Sequence, residues 1–297
     1  MSVAAQWGPL AEPIHDEPEV PSGAPWRDNA FLSFFDQDHA VCGAVHLSTS
    51  PSAPGRARAS VVVGGRLAEI VEPLDALTFT GAAIDFQLDG PAHVRDVDFA
   101  LELSSTPRFV AADYTVLDLI PPLPGHAPLV HYQQGADVSG WVELDGTRTP
   151  IVGRGFRDRT WGRRDESAMF VEYLAFGACF DEWDITLVKF LDPDGRTRVG
   201  GYRMGGNRLG VDVDLEPVVD AHVTRSASGL LGALDVDFAG GEHATMRAGP
   251  SVGFWAPMGI EQRGPALAAY EECVALDAGD LGHGTAVVEH GVVRRLY

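Results

Sequence analysis

Residues 97–103 read Val-Asp-Phe-Ala-Leu-Glu-Leu, so apolar side chains at every second position alternate with polar or small ones. A period of two is the spacing of a β-strand that buries one face and exposes the other. The same alternation recurs at 138–144, 183–187, 211–215 and 234–238. Dipeptides that favour hairpin turns stand between such segments, at Gly64-Gly65, Asp145-Gly146, Asp194-Gly195 and Gly240-Gly241. The sequence therefore predicts an all-β protein built from antiparallel hairpins.

Helix has little room in this chain, because 34 glycines and 20 prolines interrupt it at short intervals. Only 265–276 has a helical composition, through the run Ala-Leu-Ala-Ala at 266–269. Its second half, from Tyr270, reads equally well as a strand, so we expect one or two helical turns there at most. The predicted fold class is all-β, an antiparallel sandwich or barrel with little helix.

The segment 120–125, Ile-Pro-Pro-Leu-Pro-Gly, is the clearest candidate for a domain boundary, because its prolines cannot join a central strand. It separates two predicted β domains, residues 26–120 and 126–297. Residues 1–25 contain five prolines and neither Lys nor Arg. We predict that they form an extended N-terminal arm, ordered only where it packs on the body of the protein.

The charge balance argues against nucleic acid as a partner. The chain has 22 Lys and Arg against 42 Asp and Glu, a formal net charge of −20, so it lacks the excess of cations that phosphate binding needs. No apolar run reaches the length of about 18 residues that a transmembrane helix requires. The first residues also lack the basic and apolar regions of a secretory signal. We expect a cytoplasmic protein.

Metal and cofactor motifs are missing from the sequence. Cys42, Cys179 and Cys273 lie far apart and form no CxxC pair, so we expect buried, reduced thiols. The ten histidines do not show the spacing of a metal site. The glycine-rich stretches lack the endings of phosphate-binding loops, and no Gly-x-Ser-x-Gly elbow is present. We therefore expect no metal and no cofactor.

The densest cluster of unusual residues lies between 131 and 165. It begins His-Tyr-Gln-Gln-Gly at 131–135 and, after a predicted hairpin, continues Gly-Arg-Gly-Phe-Arg-Asp-Arg-Thr-Trp-Gly-Arg-Arg-Asp at 153–165. Alternate residues of an extended strand point to the same side. We therefore expect Arg157, Arg159 and Trp161 on one face, with Asp158 and Thr160 on the other. A carboxylate between guanidinium groups should ionise readily and be fixed by charge-assisted hydrogen bonds.

This run, with Tyr-Gln-Gln-Gly about twenty residues before it, resembles the signature of the lipocalin-like two-domain family of carotenoid 1,2-hydratases (hydroxyneurosporene synthases) and AttH-like proteins. The more distant relatives of that family include fungal decalin-forming Diels-Alderases. The runs Phe-Leu-Ser-Phe-Phe-Asp at 31–36 and Gly-His-Gly-Thr-Ala-Val-Val-Glu-His at 282–290 are similar to the ends of that family's sequences. The resemblance implies two lipocalin-like (calycin-like) β units packed side by side, with an apolar ligand pocket between or within them.

One motif position departs from the family. Many relatives have His where this chain has Arg159, and in the hydratases that His and the Trp two residues further on, here Trp161, are thought to help protonate an alkene. Arg cannot act as an acid near neutral pH, because its pKa lies above about 12. Hydratase chemistry in this chain would need another acid.

Carboxylates among aromatic residues are the candidate acids. Glu172 with Tyr173 comes first and Asp184 beside Trp183 second, because apolar surroundings raise the pKa of a carboxyl group so that it holds a proton at neutral pH. Asp158 in the motif completes the catalytic candidates. A plainer interpretation stands beside each: Glu172 and Asp184 face water from their strands, and residues 157–159 form an ion-pair network that locks the two units together.

Aromatic and basic residues near these acids are candidates for substrate binding, namely Tyr132, Arg157, Arg159, Trp161, Phe176, Trp183 and His283. Trp161 would offer its π-face to a cationic or polyene substrate, or else pack in a core or an interface. His131 or His283 would carry a proton to the pocket, or else be an ordinary surface or core histidine.

Two functions from different classes are consistent with these patterns. The first is a cofactor-independent enzyme, a lyase (hydratase) or an isomerase or cyclase, that binds a hydrophobic isoprenoid- or polyketide-like molecule and promotes its acid–base hydration, isomerisation or cyclisation. Such a pocket works by its shape and by a few placed polar groups. The second is a non-catalytic carrier or sensor of a hydrophobic ligand, which the replacement of the family His by Arg159 favours.

Overall fold

The computed structural model describes residues 6–16, 25–117, 119–120, 122–165, 170–205, 215–257 and 264–296. Within them the chain forms antiparallel strands and three short 3₁₀ turns, at Gly8–Ala11, Thr115–Leu117 and Gly279–Leu281. It divides into two compact units, one of Met1–Thr115 with Pro122–Asp165 and one of Val116–Pro121 with Glu166–Tyr297. The prediction of an all-β fold with little helix is confirmed.

The first unit is a ten-stranded antiparallel sheet that curls around its own apolar core. Its strands are β1 Trp26–Asp36, β2 Val41–Thr49, β3 Gly55–Val63, β4 Arg66–Leu74, β5 Ile84–Phe86, β6 Ala92–Arg95, β7 Phe99–Pro107, β8 Ala112–Asp113, β9 Val130–Leu144 and β10 Thr147–Arg163. They lie in the order β4-β3-β2-β1-β10-β9-β7-β6-β5, and β8 pairs with β9. The two outer strands of this order are β4 and the three-residue β5.

The proline-rich segment 120–125 does not end the first unit. After it, β9 and β10 return to the same sheet, where β10 pairs with β1 and β9 pairs with both β10 and β7. The division between the units therefore differs from the predicted one at 120–126. The physical reason is that the long β9–β10 hairpin gains its partners from strands far earlier in the chain, which a local proline signal does not reveal.

The second unit is a closed barrel in which each of eight strands pairs with the next and β11 pairs with β18. Its strands are β11 Glu172–Phe180, β12 Trp183–Leu191, β13 Thr197–Gly205, β14 Leu215–Arg225, β15 Leu231–Phe238, β16 His243–Pro257, β17 Gly264–Asp277 and β18 His283–Leu296. Apolar side chains of alternate residues fill the interior, among them Phe176, Leu187, Val274 and Val288. The barrel has no outermost strand, but β13 and β14 pair only over Gly201–Met204 and Leu215–Val218.

The described part of the N-terminal arm, residues 6–16, packs into the first unit. Trp7 and Leu10 are 6% and 2% exposed and belong to its apolar core. The sequence predicted an extended arm. At Gly8–Ala11 the chain instead forms a 3₁₀ turn.

The one or two helical turns that the sequence allowed at 265–276 do not form, because Gly264–Asp277 is β17 and pairs with β16 on one side and β18 on the other. Two partner strands outweigh the helix propensity of one short run of alanines. The four predicted turn dipeptides do connect paired strands: β3 with β4, β9 with β10, β12 with β13, and β15 with β16. Of the predicted strand at 211–215, only Leu215 lies within the described residues, and it begins β14.

All three cysteines are buried, as predicted. No helix in the described parts of the chain is long or apolar enough to cross a bilayer.

Candidate functional site

The motif strand β10 presents two chemically different faces. Arg157 lies opposite Leu32 of β1, and Arg159 lies opposite Ala30, both of which belong to the apolar core of the first unit. These two arginines therefore point into the curl of the sheet. Asp158 and Thr160, between and after them, point to the other side, as the alternation predicts.

Arg159 is 1% exposed and forms a buried, bidentate ion pair. Its Nε and Nη2 donate hydrogen bonds to the two carboxylate oxygens of Asp28, at 2.8 and 2.7 Å. Its Nη1 donates to the backbone carbonyl of Glu12 at 2.8 Å. The guanidinium thus binds β1 and the N-terminal arm to β10, and every partner named here belongs to the first unit.

Arg157 is also buried but has no carboxylate partner among the described residues. Its guanidinium carbon lies 4.5 Å from the ring centroids of both Trp7 and Phe86, and Nη2 donates to the carbonyl of Gln87 at 3.0 Å. Burial, and then the neighbouring charge of Arg159, lower the pKa of Arg157 to about 9. Together, the two arginines and Trp7 fix the arm in the curl of the sheet.

Trp161 stacks on the ring of His15, with centroids 3.9 Å apart, and lies 5.8 Å from the ring of Tyr132. His15 is tied in turn to Asp28 through its backbone N–H at 2.8 Å and its Nδ1 at 3.1 Å. Burial, and then the charge of Asp113, raise the pKa of Tyr132, so its phenol stays neutral. The structure therefore brings Tyr132, Arg159 and Trp161 together, around the arm.

On the opposite face, Asp158 forms a dyad with His131. Its carboxylate accepts hydrogen bonds from His131 Nε2, from Thr160 Oγ1 at 3.1 Å and from Gln133 Nε2 at 3.4 Å. Burial opposes ionisation, but the charge of His131 and these hydrogen bonds outweigh it, so the pKa of Asp158 lies below its ordinary value. The expectation that neighbouring guanidinium groups hold this carboxylate is wrong, because Arg157 and Arg159 lie on the other face.

The His131 ring is held on several sides. Tyr114 stacks against it with ring centroids 4.9 Å apart, and Thr115 Oγ1 accepts the His131 backbone N–H at 3.2 Å. The second ring nitrogen, Nδ1, is buried and has no hydrogen-bond partner among the described residues. Asp158 therefore orients an imidazole whose other nitrogen is left to exchange a proton.

A second histidine on this face is unsuited to that role. His46 lies opposite Phe31, which lies opposite Asp158, and the rings of Phe31 and His46 are 5.9 Å apart. Burial, and then the charges of Arg56 and Arg164, lower the pKa of His46 to about 3. His46 is therefore neutral near pH 7.

The candidate residues of the second unit are spread over both sides of the barrel wall. Phe176 and Trp183 belong to the interior core, and Trp183 stacks on Phe180 at 4.1 Å. Glu172 lies on the interior side of β11 at one end of the barrel, where Arg225 Nη2 donates to it at 3.1 Å. It is half-exposed, so the interpretation as a solvent-facing residue holds in part.

The other candidates of this unit point elsewhere. Tyr173 faces outward, where its hydroxyl donates to the carboxylate of Glu289 and its ring contacts Phe170 and Phe190. Asp184 is fully buried on the outer side of β12 rather than facing water. His283 is 84% exposed, 3.7 Å from Asp277. The structure does not gather these residues into one site.

Sequence reasoning named His131 as a proton carrier but did not pair it with Asp158. The hairpin itself held the signal, since counting back from Asp145-Gly146 places His131 opposite Thr160 and Gln133 opposite Asp158. Residues diagonal to each other on one face of a sheet are close enough for side-chain contact. Tyr114 comes from a separate segment, and no local pattern indicates it.

Comparison with known proteins places this chain in a family. The family model described as "Domain of unknown function (DUF7064)" matches residues 12–248, a range that includes both members of the dyad. The chain belongs to the DUF7064 family. No curated protein matches the sequence of this DUF7064 member.

Solved structures share the fold of this DUF7064 protein. Kievitone hydratase from Nectria haematococca has 12% identity and a TM-score of 0.56, over 91% of this chain and 90% of that one. A putative AttH from Nitrosomonas europaea has 15% identity and a TM-score of 0.58, over 94% and 98%. CghA solved with Sch210972 has 12% identity and a TM-score of 0.58, over 96% of each chain. The resemblance to AttH-like proteins is confirmed, and at these identities it concerns the fold.

Proposed function

We propose that this protein is an acid–base enzyme acting on a hydrophobic small molecule, and that His131 is its proton-transfer group. The observation that carries the proposal is the dyad on the motif hairpin. His131 is anchored to an ionised Asp158 through Nε2 and keeps its buried Nδ1 without a hydrogen-bond partner among the described residues.

The chemistry of the dyad follows from which atoms can donate. An ionised carboxylate only accepts hydrogen bonds, so His131 Nε2 carries a proton in both charge states of the ring. Nδ1 is then the atom that gains or loses a proton. It would take one from the substrate or from an attacking water, and Asp158 would stabilise the imidazolium until the proton is returned.

This cycle is sufficient for an isomerisation or a hydration. In isomerisation, a proton leaves one carbon and the same proton is returned to another. In hydration, the elements of water add across a double bond, with the oxygen bonding to one carbon and the proton to its neighbour. Neither reaction needs an external oxidant or reductant, which supports a cofactor-independent enzyme of the lyase or isomerase class.

Arg159 occupies the position where many relatives have His. Its contacts support assigning proton transfer to a different residue. Its guanidinium is committed to Asp28 and to the arm, and an arginine holds its proton near neutral pH. The hydrophobic, isoprenoid- or polyketide-like character of the substrate rests on the shared fold. One protein of that fold is named kievitone hydratase, and another was solved with Sch210972.

The test is turnover of a panel of terpenoid and polyketide substrates, followed by mass spectrometry and NMR of the products. His131→Gln should lower kcat about a hundredfold or more, which is the usual contribution of a positioned acid or base. Asp158→Asn should lower kcat with little change in KM, because Asp158 positions the ring without touching the substrate.

His243→Gln is the matched control, because His243 also pairs with a carboxylate, that of Asp237 at 2.8 Å, but on an exposed part of the second unit. It should leave turnover unchanged. If His131→Gln is folded and turns over at the wild-type rate, the proposal is wrong.

The alternative is a non-catalytic carrier or sensor of a hydrophobic ligand. The observation that favours it is the structural commitment of Arg159, which leaves the family's His position without a titrating group at neutral pH. A carrier would release its ligand unchanged, whereas an enzyme would release an altered product. Mass spectrometry of the co-purified ligand, before and after incubation with the panel, separates the two.

A further inference from the structure

The barrel of the second unit contains a polar cluster inside one of its ends. Cross-strand pairing places Tyr270 opposite His290, and His290 opposite Leu174, on one level of the interior. One level deeper, Glu272 lies opposite Val288. This cluster lies in a different unit from the His131–Asp158 dyad and shares no residue with it.

Glu272 is the deepest member of the cluster and is 1% exposed. Its Oε2 accepts hydrogen bonds from the backbone N–H of Leu231 at 3.0 Å and from His290 Nε2 at 2.7 Å. Its Oε1 is buried and has no hydrogen-bond partner among the described residues. A buried carboxylate oxygen without a donor costs free energy, so this atom marks the place of a missing donor.

The neighbours of His290 determine its charge state. Arg225 Nη1 lies 3.0 Å from His290 Nδ1, and a guanidinium can only donate. Nδ1 therefore accepts, so the ring is neutral and its proton sits on Nε2, where it is donated to Glu272. Oε2 therefore accepts from both Leu231 and His290, and Oε1 is the oxygen of Glu272 that is left for a hydrogen bond with a ligand.

Among the side chains that the structure describes, the charges that face the interior at this end of the barrel balance. Arg225 also donates to Glu172 at 3.1 Å, and Lys189 Nζ donates to the carbonyl of Ala221 at 2.8 Å. Two carboxylates and two cations face the interior here among the described residues. A charged ligand head would upset this balance, whereas a hydroxyl group would satisfy Oε1 and leave it intact.

The surroundings of Glu272 are apolar at its own level and aromatic toward the end of the barrel. Phe176, Leu187 and Val288 lie at its level in the interior. Toward the end of the barrel, Tyr270 lies opposite Trp255 with the rings 5.3 Å apart, and Trp255 is 61% exposed. An exposed tryptophan at the end of a barrel is a surface that an apolar molecule would cover.

We propose that this end of the barrel binds a neutral apolar alcohol. The hydroxyl group donates to Oε1 of Glu272, and the apolar body extends past Tyr270 toward Trp255. No bond is made or broken in this step. The site binds its ligand whether or not the His131–Asp158 dyad is catalytic.

The test compares four probes of one chain length by isothermal titration calorimetry on the full-length protein: 1-dodecanol, dodecyl methyl ether, dodecanoate and dodecylammonium. We expect 1-dodecanol to bind at least ten times more tightly than the ether, which lacks the donor, and more tightly than either ion. Equal affinity for alcohol and ether, tighter binding of an ion, or no binding of the alcohol would overturn the proposal.

Glu272→Met should abolish the preference for alcohol over ether, because it keeps the side-chain length and removes the acceptor. Glu271→Gln is the matched control, since Glu271 is the neighbouring residue on β17, is equally buried and points to the other face. It should keep the preference. His131→Gln should also bind 1-dodecanol normally, so failure of the proposed catalysis and failure of this site are distinguishable.

Discussion

Replacing Arg159 with methionine is the sharpest test of how the motif strand stabilises the first unit. Arg159 and Asp28 are each 1% exposed and share two short hydrogen bonds, so the substitution leaves a buried carboxylate without its cation. Breaking a buried pair in this way costs about 3–5 kcal/mol. His15 still donates its backbone N–H to Asp28, so we expect the lower part of that range, about 3–4 kcal/mol.

For a unit of this size, a loss of about 3–4 kcal/mol corresponds to roughly 6–16 °C in Tm. Urea unfolding and calorimetry measure both quantities. The double variant Asp28→Asn/Arg159→Met removes the uncompensated charge, so it should be more stable than Arg159→Met alone. A loss below about 1 kcal/mol for Arg159→Met, or a double variant whose loss equals the sum of the two single losses, would refute the reasoning.

Four further substitutions test the first unit. Trp7→Ala should lower the free energy of unfolding by about 3–5 kcal/mol, the usual range for a buried tryptophan. The rate of hydrogen exchange at residues 6–16 should rise with it. Unchanged exchange would contradict the packing of the arm. Arg157→Met should change the free energy of unfolding by less than about 1 kcal/mol, because an apolar chain replaces a buried cation that has no carboxylate partner. A loss as large as that of Arg159→Met would contradict this prediction. Gly155→Ala should cost about 1–3 kcal/mol in urea unfolding, because a Cβ there would lie 1.9 Å from the Ser33 carbonyl oxygen; wild-type stability would show that the strands separate easily. Asp158→Asn should be less stable than wild type at neutral pH, and the difference should close as pH falls. A lowered pKa adds stability above the unfolded value of about 3.9 that is lost as pH passes down through the folded one, so a constant difference from pH 7 to pH 2 would exclude this assignment.

Local signals in the sequence predicted the strands and turns, whereas long-range pairing decided the features that they missed. The alternation at 97–103 lies in β7, and Asp145-Gly146 closes the β9–β10 hairpin, because both depend only on near neighbours. The placement of β9 and β10 in the first unit depends on β1, which is more distant in the chain. The alanines at 266–269 failed as a helix signal for the same reason, since β16 and β18 flank them.

The candidate site divides in the same way. The two faces of residues 157–161 follow from the two-residue period of a strand. The partners do not, because Arg159 takes Asp28 from β1 and Glu12 from the arm, and neither position carries a pattern that points to an arginine. The sequence did not indicate Glu272, because two adjacent glutamates are typical of a solvent-exposed segment. Only the closed barrel shows that Glu272 faces the interior.

The two units face the problem of unwanted intermolecular pairing differently. The strand order of the barrel closes on itself and has no outermost strand, but the curled sheet ends in β4 and β5. β4 carries Arg66, Glu69, Glu72 and Pro73, and β5 is only three residues long. Charges, a proline and a short outer strand all discourage a second molecule from adding to a sheet. Replacing these charges with β-branched residues would remove this protection and make β4 a template for aggregation.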